Sequence, residues 1–205
     1  MFRNVAVLAA CLGMLSLGGC KMFGGGGGDD GGKAKAGGGG GAGGYHYVNQ
    51  PVMTLVPLHY EGAKNEIWSV NYVLYAKLDR CTPVTINGVS SKSATFTVNS
   101  GPHAGQVYSY MFYKDLHEDH FTHLDKIFGP QCKSTAGMSE IDQKGIKNGQ
   151  VLPGMTKEGV ILAVGYPPDH ATPDLGSDVW KYWKSRATNT LVRFEGDKVS
   201  DPGRW

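Results

Sequence analysis

Apolar and polar residues alternate in five short, turn-bounded runs, at 51–56, 66–73, 83–89, 93–98 and 106–112. Each is rich in β-branched or aromatic residues, so each is predicted to be a strand, and five at regular spacing predict a small barrel or sandwich. The alternative is an extended curved sheet continuous with the strands at the C-terminal end. The period then changes. Leu116, Phe121, Leu124 and Phe128 fall mainly on one side of a helix predicted over 115–128 and ended by Gly129-Pro130. A second helix is expected over 141–150, weakened by Gly145. A third begins at Thr156, a capping hydroxyl, with Glu158 in its first turn and Val160, Ile161 and Val164 as its apolar stripe. Gly165 and Pro167-Pro168 end it after two to three turns, too short to stand alone in water. Trp180 with Tyr182, and Val192 with Phe194, each lie on one face of two more amphipathic strands, and Glu195-Gly196-Asp197 turns into a short third at 198–200. A short helix followed by such a meander is a two-layer α+β unit.

The first 44 residues have a different character. After Arg3 comes an apolar run of about 10 to 15 residues, too short to span a bilayer and suited to a leader. It ends Leu17-Gly18-Gly19-Cys20, small residues before a cysteine that resemble the bacterial lipobox. The resemblance implies cleavage after residue 19 and acylation of Cys20, palmitate included, giving a lipid anchor. The alternative is an ordinary secretory leader with a free cysteine. By its resemblance to Gram-negative lipoproteins, in which an aspartate after the cysteine means inner-membrane retention, Lys21 implies sorting to the outer membrane. Residues 24–44 are nearly all glycine, a flexible tether with a reach of about 25 Å. Gly27, Gly32 and Lys33 mimic part of a phosphate-binding loop, but Ala34 stands where a hydroxyl would hold magnesium and no strand precedes it.

Two family resemblances sharpen the fold. The segment from Val151 through Pro153-Gly154-Met155-Thr156 to Val160, then Gly165-Tyr166-Pro167, Trp180-Lys181-Tyr182-Trp183 and Leu191-Val192-Arg193-Phe194, resembles the SmpA/OmlA (BamE-like) family of outer-membrane lipoproteins. It covers roughly 141–200 and implies a two-helix, three-strand module without catalysis that contacts protein partners at the membrane. The earlier runs, with an Asn-Tyr strand, a Pro-Val strand, an Asn87-Gly88 turn and a closing aromatic strand, resemble an SH3-like barrel. The expected fold class is therefore α+β: a small SH3-like β-barrel domain at 45–136 with a covering helix, then a BamE-like two-helix plus three-stranded antiparallel module at 137–205. Residues 1–19 are the leader and 20–44 the lipidated tether.

Cysteine, charge and histidine narrow the function. Of four cysteines, Cys11 leaves with the leader and Cys20 is acylated, so Cys81 and Cys132 remain for a disulfide, with a pair of free thiols as the alternative. The formal charge of +2 comes close to neutral once the leader is removed, so no basic face argues for nucleic acid or for strong attraction to anionic lipid. His117, Glu118, Asp119, His120 and His123 are the most tempting ligand cluster, yet His123 lies about 240° round a helix from His117, so the three imidazoles cannot converge on one ion. No nucleophile elbow, zinc motif or paired phosphate loop is present, and no cofactor is implied. Tyr166, Trp180, Tyr182 and Trp183 are the candidate partner-binding residues, because aromatics bury large areas at small rotamer cost. The reading is a non-enzymatic outer-membrane lipoprotein, periplasmic and lipid-anchored, acting as an accessory or scaffold in envelope and β-barrel protein assembly. The alternatives are an SH3-like lipoprotein that binds peptidoglycan or another ligand, and a metal-dependent envelope enzyme.

Overall fold

The computed structural model describes residues 44–205. The leader, Cys20 and the tether up to residue 43 lie outside them. Among the described residues the chain is mostly β, with eleven strands and three short helices. Eight strands make one curled sheet: β1 (Pro51–Thr54), β2 (Leu58–Glu61), β3 (Glu66–Trp68), β4 (Lys77–Leu78), β5 (Pro83–Val89), β6 (Ser93–Val98), β7 (Val107–Met111) and β8 (Phe128–Gly129), in the order β4-β2-β3-β7-β6-β5-β1-β8. Period-two alternation sends Val84 and Ile86, Ala94, Phe96 and Val98, and Tyr108 and Tyr110 into one core. Helix α1 (His120–Ile127) adds Leu124 and Ile127 to it. Its cap is Asp119, whose carboxylate accepts from the Phe121 and Thr122 N–H groups at 2.9 and 3.1 Å.

The second core lies under three antiparallel strands, β9 (Val179–Trp183), β10 (Asn189–Glu195) and β11 (Lys198–Asp201), in the order β11-β10-β9. Helices α2 (Glu140–Asn148) and α3 (Lys157–Val164) pack beside them. Thr156 caps α3 by accepting from the Gly159 N–H at 2.9 Å. α2 begins at Ser139, which donates to buried Asp142 at 2.6 Å, and Asp142 in turn accepts from the Thr156 N–H at 2.8 Å. One carboxylate thus fastens the start of each helix to the other. The close approach needs glycine: a Cβ at Gly159 would overlap Asp142, and one at Gly145 would overlap Met155. Gly145 weakens helix propensity by about 1 kcal/mol, but it is what lets α2 sit on Met155.

Helix α3 belongs to both cores. Val160, Ala163 and Val164 are buried in the second, and Ile161 packs against both clusters. Its last carbonyls are satisfied from the large sheet's side: Asn71 Nδ2 donates to the Val164 and Tyr166 carbonyls at 3.0 and 2.7 Å. Gly165 sits at φ 87°, and a Cβ there would strike the Asn71 amide. Beside this junction Tyr72 bridges Trp183, and the Val73 N–H donates to the Trp183 carbonyl at 2.8 Å. The Cys81–Cys132 disulfide, with Cα atoms 5.4 Å apart, ties the β4–β5 turn to the exit from β8. Closing a loop of 51 residues is worth about 4 kcal/mol in the chain-entropy model.

This architecture overturns the expected fold class. An eight-stranded curled sheet forms where a small SH3-like barrel was expected, and the two helices and three antiparallel strands that follow share α3 with it rather than standing apart as a BamE-like module. Strands β2, β4 and β8 join the five anticipated ones, and β3 pairs β7 in parallel, so the result is an eight-stranded sheet. Phe128, expected to close a helix, pairs as β8 with Thr54. Asn87-Gly88 is no hairpin turn: the register shifts between Ile86 and Gly88, an irregularity inside β5, and the chain reverses at Ser90, whose N–H donates to the Ser93 carbonyl at 2.8 Å. Nor is there one continuous sheet, since the three C-terminal strands form their own.

Gly159→Ala is expected to lower the unfolding free energy by about 1–3 kcal/mol through overpacking against Asp142. Gly137→Ala, where a Cβ meets nothing within 4 Å, is expected to stay within about 0.5 kcal/mol of the parent. Urea denaturation of both checks it; equal stabilities would show that the α2–α3 contact has slack.

Candidate functional site

A cluster of titratable side chains forms where α1 meets β7. Tyr110 points inward from β7 because alternate residues of that strand face the core. His123, three residues into α1, meets it: Nε2 lies 2.8 Å from the Tyr110 hydroxyl, and Nδ1 lies 2.7 Å from Glu118 Oε1. A carboxylate accepts, so Nδ1 carries the proton and Nε2 accepts from the tyrosine. Lys126, one helical turn below His123, donates to the other Glu118 oxygen. The order Tyr110, His123, Glu118, Lys126 is a hydrogen-bonded chain in which each reactive atom already has a partner.

Burial sets the charges. It pushes the Tyr110 phenol far above its ordinary value, with Glu118 and Asp169 adding to the shift. It also lowers the His123 imidazole, and the Glu118 hydrogen bond recovers only part of that. Glu118 itself is raised by desolvation, but the hydrogen bonds from Lys126 and His123 outweigh this and hold it below the usual carboxylate range. The cluster faces a cleft of about 70 Å³ shared with Tyr166, Asp169 and Gly165. That is room for a few waters, well below the roughly 300 Å³ at which small-molecule sites begin.

The histidines expected along this segment separate rather than converge. His120 stacks flat on Phe112 with ring centroids 4.0 Å apart. His117 is exposed, and its backbone N–H donates to Asp169 at 2.6 Å. Among the described residues no three His, Cys, Asp or Glu side chains are placed to hold a metal ion.

The aromatic candidates also divide. Trp180 and Tyr182 are fully buried, with Tyr182 donating to the Gly165 carbonyl at 3.0 Å, so both are core residues beyond a partner's reach. Trp183 is half-buried beneath the Lys181 ammonium, 4.5 Å from the ring centroid. Tyr166 is half-buried and lines both the small cleft and an open groove of about 690 Å³ between α3 and the segment carrying Cys132. Cys81 and Cys132 are joined as a disulfide. Cys20 lies outside the described residues.

Sequence reasoning missed the Tyr110–His123 contact and the two most exposed aromatics, Tyr75 and Trp205, which flank a groove of about 750 Å³. Tyr75 carried one usable signal: it sits between the anticipated strands in a stretch with no alternation. Comparison with protein-family models, with curated proteins and with solved structures found no match.

His123 and His59 are both buried and both held below their ordinary value, His59 by burial and the nearby Lys77 despite its bond to the Leu74 carbonyl. The unfolded chain therefore takes up protons that the folded one refuses, so stability present above about pH 6.5 is lost as the pH falls toward the folded values. Glu118 acts lower, below about pH 4.5. Unfolding free energy is expected to drop between pH 7 and 5, and the His59→Gln, His123→Gln double variant to show a shallower slope. Urea melts at each pH check it; identical slopes would contradict the assignment.

Proposed function

We propose that this chain is a non-enzymatic lipoprotein of the bacterial outer membrane, anchored through Cys20 and held on its glycine tether, whose folded body binds protein partners as a scaffold in envelope assembly. The observation that carries the reading is a contrast between two kinds of concavity. The reactive side chains are locked onto one another around about 70 Å³, whereas the hollows of about 690 and 750 Å³ are open and walled largely by apolar residues. The first arrangement rigidifies; the second offers surface to a partner. The disulfide supports an oxidising compartment, since such bonds persist outside the cytosol. The lipobox resemblance supports the anchor, and the SmpA/OmlA motif resemblance at 151–194 supports a role beside the β-barrel assembly machinery.

Feeding labelled palmitate to cells expressing the full chain, then fractionating membranes and recovering partners from detergent extracts, tests this. The parent is expected to carry label, to sediment with outer membranes and to bring down assembly subunits. Cys20→Ala is expected to lose the label and appear in the soluble fraction. An unlabelled parent in the soluble fraction, or substrate turnover by the purified chain, would overturn the reading.

A further inference from the structure

The eight-stranded sheet ends at β4, a strand of two residues paired on one side only. Its register with β2 sets Leu58 opposite Leu78 and His59 opposite Lys77, and the Tyr60 N–H donates to the Ala76 carbonyl at 3.0 Å. In an antiparallel ladder hydrogen-bonded and non-hydrogen-bonded pairs alternate, so Ala76 and Leu78 face β2 while the N–H and C=O of Lys77 point away from the sheet. Lys77 also lines the groove of about 750 Å³, together with the loop that follows α2. The apolar lining comes from Val73, Leu74, Tyr75, Val151, Leu152 and Trp205. Tyr75 is fully exposed and packs in neither core, whereas Trp205 lays one side of its ring on buried Tyr182, with centroids 5.4 Å apart, and leaves the other side exposed.

Two further features define what the groove can hold. Lys77 and Lys184 are the charged side chains in its lining, and no acidic residue is among them. Lys77 is paired with Asp79, and Lys184 donates to the Arg204 carbonyl at 3.1 Å; each ammonium has donors to spare. The lining also includes an unmatched acceptor. His59 is 6 % exposed, its Nδ1 lies 2.6 Å from the Leu74 carbonyl and so carries the proton, and its Nε2 has no partner. That nitrogen is sealed from the groove, so the exposed peptide edge is what separates ligands: an anionic amphiphile would satisfy the lysines but brings nothing for the Lys77 N–H and C=O. An extended peptide brings backbone N–H and C=O groups at the strand repeat, with side chains on alternate sides.

We propose that the groove receives an extended acidic segment of a partner protein, which adds to the sheet as a strand along β4 with its carboxylates toward Lys77 and Lys184. The proposal builds on the binding role above and names its surface and the class of partner. Main-chain hydrogen bonds to the Lys77 peptide groups supply affinity, and the apolar walls between the two lysines select alternating acidic and apolar side chains.

The test uses isotope-labelled full chain in detergent micelles and a blocked hexapeptide alternating glutamate and valine, followed by amide and indole NMR shifts. Expected are a sub-millimolar Kd, shifts concentrated at Tyr75, Lys77, Val151 and the Trp205 indole, and loss of binding when alternate peptide nitrogens are methylated. The Lys77→Glu, Lys184→Glu double variant, altered at partly exposed side chains, is expected to bind the peptide at least about tenfold more weakly and to prefer a lysine–valine peptide. No shifts at millimolar peptide, shifts centred elsewhere, insensitivity to methylation or to the charge reversal, or equal occupancy by dodecanoate would each overturn it. If assembly subunits still co-purify from membranes in that event, the scaffold role stands and its surface lies elsewhere.

Discussion

Helix α3 has eight residues, too few to persist in water without packing, and it lies against both sheets. Ile161 reaches the two apolar clusters at once, while Asn71, from the loop after β3, holds the carbonyls at its C-terminal end. The helix is ordered by the sheets, and the sheets are ordered relative to each other by the helix. The adjoining Tyr72–Trp183 bridge adds a backbone seam. Two cores that would each be small are thereby joined, which matters because small cores leave little margin over chain entropy.

The polar groups near this junction serve the same end. Asp142 is 1 % exposed and accepts three hydrogen bonds from Ser139 and Thr156. Leaving such a carboxylate without partners would cost several kcal/mol, so its bonds make the α2–α3 pairing specific as well as stable. The Tyr110–His123–Glu118–Lys126 chain does the equivalent for α1 on the large sheet. Both networks spend their reactive atoms on one another. On the proposed binding role, recognition falls to the surface around the β4 edge, where apolar walls, two lysines and the outward peptide groups of Lys77 occur together.

Much of the C-terminal half was legible locally. Thr156 as cap, Gly165 as terminator and the alternating faces of Trp180, Tyr182, Val192 and Phe194 are written within a few residues of where they act. Their burial was not, because it depends on α3 and on the loop through Tyr72 more than 100 residues earlier. Strands β2, β4 and β8 were invisible for a related reason: two to four residues carry no period, and only distant partners make them strands. Phe128 continued a helical stripe and was misassigned with it, since its pairing with Thr54 spans 74 positions by their numbering. His123 read as one of several histidines on a polar face; Tyr110, which fixes its role, lies on another element.

The most direct test of the shared helix is equilibrium unfolding in urea with fluorotryptophan, comparing the 19F signal of Trp68 on β3 with that of Trp180 on β9. Joined through α3, the two cores are expected to lose their native signals with one midpoint and one slope. A Trp180 transition at clearly lower urea than that of Trp68 would mean that the small sheet unfolds on its own, and that α3 does not bind the two cores into one unit.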